Sequence, residues 1–215
     1  RAPRFAQPGE PEEEKRIRLE LKILADVGLL GLPNAGKSTF ISAVSAARPK
    51  IASYPFTTLS PNLGVVLDDD NEKRMVIADI PGLIEGAHQG LGLGHTFLKH
   101  VERTRFLVHI LSMEDIVRAE GENPWQGFEL IDEELRQFNE ELSGKSQLRV
   151  VNKIDLFSPE EVDELKARAE ADGYAIHFMS AKYGQGVDEL VKDMWEILLA
   201  MESDREGGGE ALHVG

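Results

Sequence analysis

Cysteine is absent from this chain of 215 residues, which excludes disulfides, thiolate-held metals and cysteine nucleophiles. Any metal must therefore be bound through oxygen or imidazole. Long apolar runs are missing too: nothing approaches the ~18 to 20 consecutive apolar residues of a membrane-spanning helix, and the first fifteen residues are rich in proline and glutamate where a secretory signal would be apolar. The expectation is a soluble cytoplasmic protein with no membrane partner. Positive charge is scarce, because Lys+Arg 24 against Asp+Glu 38 leaves −14. Such a surface repels phosphate backbones unless its basic residues gather on one face, so broad nucleic-acid binding by this segment alone is disfavoured. What is present is ordinary: 41% hydrophobic and 29% charged residues describe a globular chain, neither disordered nor fibrous.

Arg1 to Arg16, with Pro3, Pro8, Pro11 and Glu12 to Glu14, reads as an interdomain linker. Ile17 to Leu24 alternates apolar and charged residues as a strand with one wet face does. Further strands are predicted at Val27 to Leu30, Leu63 to Leu67, Arg74 to Ala78, Phe106 to Leu111, Leu148 to Val151 and Ala175 to Met179. Helices are predicted from Lys37 to Ala47, over the stripe Phe128, Ile131, Leu135, Phe138 and Leu142, after Ser158, and from Val187 to Met201. Ser158, Pro159 and Glu161 supply an N-cap, a first-turn proline and a capping-box acid. Ser112 to Gly127 reads as a loop, and the segment from residue 202 to 215, with Gly207 to Gly209, as a disordered tail. Alternating strands and helices predict an α/β fold, a mostly parallel six-stranded sheet with helices on both faces, whose ligands sit at the carboxyl ends of the strands.

The chemistry-bearing motifs fall at that edge. Gly31, Leu32, Pro33, Asn34, Ala35, Gly36, Lys37 and Ser38 fit G-x-x-x-x-G-K-[ST] between a strand and a helix. The glycines let backbone N–H groups turn around phosphate oxygens, Lys37 reaches the β- and γ-phosphates, and the Ser38 hydroxyl can ligate Mg²⁺. Asp79, Ile80, Pro81 and Gly82 follow another strand, placing a carboxylate for the same metal and a glycine N–H for the γ-phosphate. Asn152, Lys153, Ile154 and Asp155 close a further strand. A carboxylate at Asp155 accepts from guanine's ring N–H and amine, whereas adenine presents an acceptor there; Asn152 can pair with the base's other polar edge, and the Lys153 stem can lie along its ring. Ser180, Ala181 and Lys182 would support the base through backbone N–H groups. Between the motifs, Thr57 and Thr58 lie in a segment that could join the metal only when a γ-phosphate is present, and glycines at 82, 86, 90, 92 and 94 suit a second switch.

Together with Thr39, Tyr54 to Leu59, Pro61 to Gly64 and Asp79 to Ala87, these motifs resemble the GTPase domain of the Obg (CgtA) family from about Ile17 to Met201. The resemblance implies a Ras-like P-loop GTPase fold, GTP or GDP with Mg²⁺, slow hydrolysis, and a bacterial role in large ribosomal subunit assembly with links to guanosine tetraphosphate. It makes Ser38 and Thr58, beside Asp79, the Mg²⁺ ligands, and lays Phe56, Thr57, Thr58, Leu59 and Ser60 against the nucleotide. Lys37, Thr58 and Gly82 become the catalytic set. It also implies a glycine-rich domain before Arg1, with ribosome contact through the full-length protein and this segment a monomer.

Ras-like enzymes orient water with a glutamine after Asp-x-x-Gly, but here that residue is Leu83. Slow turnover follows. Some GTPases with a hydrophobic residue there bind K⁺ through a phosphate-loop asparagine like Asn34, so K⁺ stimulation is expected. His88, His95 and His100 are weaker candidates for a general base, His109 is read as structural, and Trp125 as core cover. Two other readings stand beside the GTPase switch: a guanine-nucleotide or alarmone sensor with negligible hydrolysis, and an ATP-using phosphoryl-transfer enzyme, against which Asp155 argues.

Overall fold

The computed structural model describes residues 24–51, 61–68, 70, 72–80, 100–118 and 123–207. In chain order these form β1 (Ala25–Leu30), α1 (Lys37–Val44), β2 (Lys50–Ile51), β3 (Asn62–Leu67), β4 (Arg74–Asp79) and β5 (Thr104–Ser112). Then come α2 (Met113–Arg118), α3 (Gln126–Phe138), α4 (Glu140–Ser143), β6 (Gln147–Asn152), α5 (Pro159–Ala171), β7 (Ile176–Phe178) and α6 (Val187–Gly207). The strands join in one sheet of order β2-β3-β4-β1-β5-β6-β7. β1 pairs in parallel with β4 and β5, and β6 with β5 and β7, while β3 runs antiparallel to both β4 and β2. The six strands expected within the described residues are β1 and β3 to β7. The two-residue β2 is an addition at the edge, too short to show an alternating pattern. Of the strand expected from Ile17, Leu24 alone is described, and its N–H donates to the Arg103 carbonyl at 2.8 Å.

Alternation along each strand sends side chains to two faces. Phe106, Val108 and Ile110 of β5 join Phe40 and Ile41 of α1 and Leu190, Met194 and Leu198 of α6 in one buried cluster. On the other face Leu30 and Leu107 meet Ile131 and Leu135 of α3, and Leu111 and Val151 meet Phe128 and the α5 residues Val162 and Ala169. Trp125, 1% exposed, seals this second face and donates its ring N–H to Asp172 at 2.8 Å. Capping fixes where α5 starts: Ser158 Oγ accepts from the Glu161 N–H and the Glu161 carboxylate accepts from the Ser158 N–H.

Strand limits shift by one or two residues, and four helical features differ from expectation. Helix α1 stops at Val44 rather than Ala47, because Ser45 turns extended and its hydroxyl accepts from the Val65 N–H and donates to the Ala47 carbonyl. The segment after Ser112 is not loop from its start. Ser112 Oγ accepts from the Asp115 N–H at 3.2 Å, and Met113 and Ile116, three apart, are both buried, so a short helix forms. The stripe from Phe128 to Leu142 is broken at Asn139, whose extended backbone separates α3 from α4. Finally α6 runs past Met201 to Gly207, so the first six residues of the expected tail are helical.

One polar side chain lies inside the second face. His109 on β5 is fully buried, its ring set edge-on to Phe128 at 4.7 Å between centroids, and neither ring nitrogen has a hydrogen-bond partner. Burial first, then the charges of Arg149 and Lys37, push its pKa down to about 3, so it is neutral in the folded protein. Because the unfolded chain takes up this proton near pH 6.5, His109 costs stability below that pH, increasingly down to about 3. Replacing it by a ring that does not titrate, His109→Phe, should flatten urea-unfolding stability by up to about 1.4 kcal/mol per pH unit between pH 6.5 and 4.5 relative to wild type; equal slopes would show that His109 protonates while folded.

Candidate functional site

Residues 31 to 38 connect the carboxyl end of β1 to α1, and their backbone is shaped by residues with left-handed geometry. Gly31 (φ 151°) leaves no room for a side chain, since a Cβ there would lie 2.2 Å from the Ile110 carbonyl oxygen. Gly36 (φ 96°) is the N-cap of α1, and a Cβ there would lie 2.2 Å from Asn152 Nδ2. Asn34, at φ 64°, makes the turn between them and is exposed, as is Pro33; Leu32 is half-buried and Ala35 is fully buried against the core. The result is a concave loop ending on a helix N-terminus, a geometry suited to oxyanions. Lys37 curls back over it, donating to the Gly31 carbonyl at 2.9 Å and the Leu32 carbonyl at 3.1 Å. Its ammonium stands 3.9 Å from Asp79 Oδ1. Burial lowers the Lys37 pKa and the Asp79 charge opposes that shift, which is the electrostatic situation of a cation awaiting a stronger anion.

Asp79 ends β4 beside this loop. Its Oδ2 accepts from the Ser38 hydroxyl at 3.0 Å, while its Oδ1 is buried without a hydrogen-bond partner. A hydroxyl and a carboxylate so placed, with one carboxylate oxygen unsatisfied, form a hard-oxygen pair that fits Mg²⁺ completed by phosphate oxygens and water. Among the described residues no three acids or histidines cluster around a metal, so the protein alone offers only part of a coordination sphere. Thr39 is exposed one residue past Ser38. The Ile80 side chain is 1% exposed in the core with Leu30 and Leu107, and its N–H donates to the Leu29 carbonyl at 3.2 Å. Phe56, Thr57, Thr58, Leu59, Ser60, Pro81, Gly82 and Leu83, with His88 and His95, lie outside the described residues. His100 is buried at 1% exposure.

The third group of motif residues follows β6 and β7. Asn152, paired in register with Ser112, is 2% exposed. Its Nδ2 donates to the Ala35 carbonyl at 2.8 Å and its Oδ1 accepts from the Ala181 N–H at 3.0 Å. Its carboxamide straps the loop 31–38 to the loop 180–182. Lys153 follows in a left-handed conformation (φ 67°), Ile154 is buried, and Asp155 is half-buried with Oδ1 accepting from Ser180 Oγ at 2.6 Å. Ser180 is fully buried and Ala181 nearly so, whereas the exposed Lys182 rests its ammonium 4.8 Å from the centre of the Tyr183 ring. All three motif groups thus meet at the carboxyl edge of β1, β4, β6 and β7.

No sequence motif marks Glu114. Its Oε2 accepts from Lys153 Nζ at 2.6 Å, a contact made possible by α2, itself read as loop. An acid two residues beyond a strand end that lies in register with Asn152 is the signal that would have found it.

A protein-family model described as "50S ribosome-binding GTPase" matches residues 26–153. The protein named GTPase Obg from Oleidesulfovibrio alaskensis is 69% identical over 202 residues, covering 94% of this chain and 54% of its own length. The GTPase Obg of Lawsonia intracellularis is 60% identical over 198 residues, 92% of this chain and 54% of its own. The chain therefore spans about half the length of the curated relatives it matches. Among solved structures, that of Era in complex with MgGDPNP and nucleotides 1506–1542 of 16S ribosomal RNA is 26% identical with a TM-score of 0.53, covering 81% of this chain and 55% of that one.

The contact between Gly36 and the Asn152 carboxamide makes a direct test. Gly36→Ala should cost about 1 to 3 kcal/mol in urea unfolding, through a strained φ and a displaced, unsatisfied amide; a cost within ~0.5 kcal/mol would mean that the loop and the carboxamide are not in contact.

Proposed function

The chain belongs to the Obg family of 50S ribosome-binding GTPases, and from that premise we propose that it binds GTP and GDP with Mg²⁺ and hydrolyses GTP slowly to GDP and phosphate. The observation that carries this reading is the convergence, at one sheet edge, of the concave loop 31–38 and the carboxylate of Asp155, tied together by Asn152. Phosphates would rest on the backbone N–H groups of residues 31 to 38, with Lys37 moving from its own loop carbonyls to the β- and γ-oxygens. The base would lie along the Lys153 stem, with Asp155 accepting its ring N–H and amine. Adenine would leave that half-buried carboxylate facing an acceptor, which selects guanine.

Ser38 and Asp79 would hold the metal, with Thr58 joining them on the family pattern. When bound, Mg²⁺ neutralises the charge that develops on the β- and γ-phosphate oxygens. A water oxygen attacks the γ-phosphorus as the bond to the β–γ bridging oxygen breaks, and the chain's part is to position and neutralise: Lys37 and the loop N–H groups on the phosphates, the Gly82 N–H on the γ-phosphate. Leu83 cannot orient the water, so turnover is slow. Asn34, held in the left-handed turn at the mouth of the loop, is the candidate ligand for a stimulating K⁺. In the cytoplasm the full-length protein would use this cycle as a switch in large-subunit assembly and stress response, with guanosine tetraphosphate as a further ligand. The segment itself would be a monomer. Among the described residues no helix is long and apolar enough to cross a membrane.

Leu83 favours one second reading, a guanine-nucleotide sensor with negligible hydrolysis. Single-turnover assays with GTP, and ATP as control, in KCl and in NaCl at equal ionic strength decide between them. Slow hydrolysis of GTP only, raised several-fold by K⁺, is the expected result. Binding without turnover would replace the switch by the sensor, equal rates in the two salts would remove the Asn34 role, and ATP turnover would overturn the base assignment.

A further inference from the structure

The ion pair at the start of α2 joins a motif residue, Lys153, to Glu114, which lies outside the motifs. Glu114 Oε2 and Lys153 Nζ are 2.6 Å apart, and the two side chains are 33% and 25% exposed, enclosed enough for the attraction to resist screening better than a fully exposed pair does. Both partners stand on rigid supports. Glu114 lies in the first turn of α2, which is capped by Ser112 Oγ and anchored by Met113 and Ile116. Those two apolar residues belong to the same buried cluster as Ile154, the residue next to Lys153. Lys153 has a left-handed backbone that costs about 1 kcal/mol for a residue with a Cβ, and it opens the 3₁₀ turn Ile154–Leu156 that carries Asp155.

We propose that Glu114 is a positioning residue for the guanine base: by gripping the Lys153 ammonium it fixes the lysine stem as a preformed platform beside Asp155 before nucleotide arrives. The proposal rests on the base-binding reading of Lys153 and Asp155 given above. A long lysine side chain loses much rotamer freedom when it is pinned against a ring. An anchor at its far end removes that loss from the binding step, which is how preorganisation raises affinity without a new ligand contact. Glu114 grips Lys153 in the base half of the site, whereas Ser38 and Asp79 pair in the phosphate half, so its effect falls on holding nucleotide and not on the chemical step. The effect is also common to GDP and GTP, since the base is the same in both.

The test is release of a fluorescent GDP and a fluorescent GTP analogue from wild type, Glu114→Gln and Lys153→Met, separately and combined, at low and high salt. Single-turnover hydrolysis of prebound GTP and the thermal midpoint of the nucleotide-free protein are followed in parallel. In Glu114→Gln both analogues should leave about three- to fivefold faster at low salt. The difference from wild type should shrink as salt screens the pair, the hydrolysis rate of bound GTP should be unchanged, and the substitution should have no further effect in the Lys153→Met background. Wild-type release rates in Glu114→Gln at both salts, or an equal acceleration in the Lys153→Met background, would overturn the proposal. Faster release accompanied by a fallen midpoint and no salt dependence would also overturn it, assigning Glu114 to folding alone. If wild type bound no guanine nucleotide, the proposed function itself would fail, an outcome distinct from each of these.

Discussion

One buried carboxamide sets the relation between the two halves of the site. Asn152 reaches Ala35 in the phosphate-type loop with its amine and Ala181 in the loop after β7 with its oxygen. The three segments it joins lie far apart in the chain, and each ends a different strand. Without that bridge a buried carbonyl and a buried N–H would both lose their partners, at about 1 to 3 kcal/mol each. The bridge also explains the glycine at 36, since any Cβ there would occupy the space of the Asn152 amine. Distance between phosphate loop and base loops is therefore a property of the folded protein and not something the ligand must impose.

Around this strap the site is built from backbone that ordinary residues avoid and charges left partly unmatched. Asn34 and Lys153 are the two described non-glycine residues with positive φ, and they lie one in each half of the site. Lys37 is satisfied by carbonyls of its own loop, and Asp79 keeps one buried oxygen with no hydrogen bond. Strain and unsatisfied polar groups of this kind lower stability and are tolerated where a ligand relieves them. His109, in the same sheet but turned to the opposite side from α1, is held neutral by burial first and then by the charges of Arg149 and Lys37.

Much of this was legible in the sequence, for identifiable reasons. β1 and β5 were readable because strands of a sheet covered on both faces are nearly continuous apolar runs; the start of α5 was readable because capping boxes are local chemistry. The glycine-lysine loop was readable because its residue types answer to backbone geometry and phosphate charge alone. What escaped was decided by tertiary contact. β2 has two residues and no periodicity. Helix α2 depends on one serine cap and on two side chains finding a cluster with Ile154 and Trp125. Ile80 follows the site carboxylate in sequence but points to the core because the strand alternates. The strap made by Asn152 was not legible because nothing local announces a partner 117 residues away. The Glu114–Lys153 pair spans 39 residues and exists only because β5 and β6 end in register.

On this reading one nucleotide occupies both halves of this edge at once, phosphates on residues 31 to 38 and guanine on Asp155. Amide hydrogen exchange with and without Mg–GDP, with Mg–ADP as control, tests it most directly. Residues 31 to 38, 152 to 155 and 180 to 182 should gain protection together at one GDP concentration, and ADP should fail to protect the latter two segments. Protection by GDP confined to residues 31 to 38, or equal protection by ADP in all three segments, would contradict it.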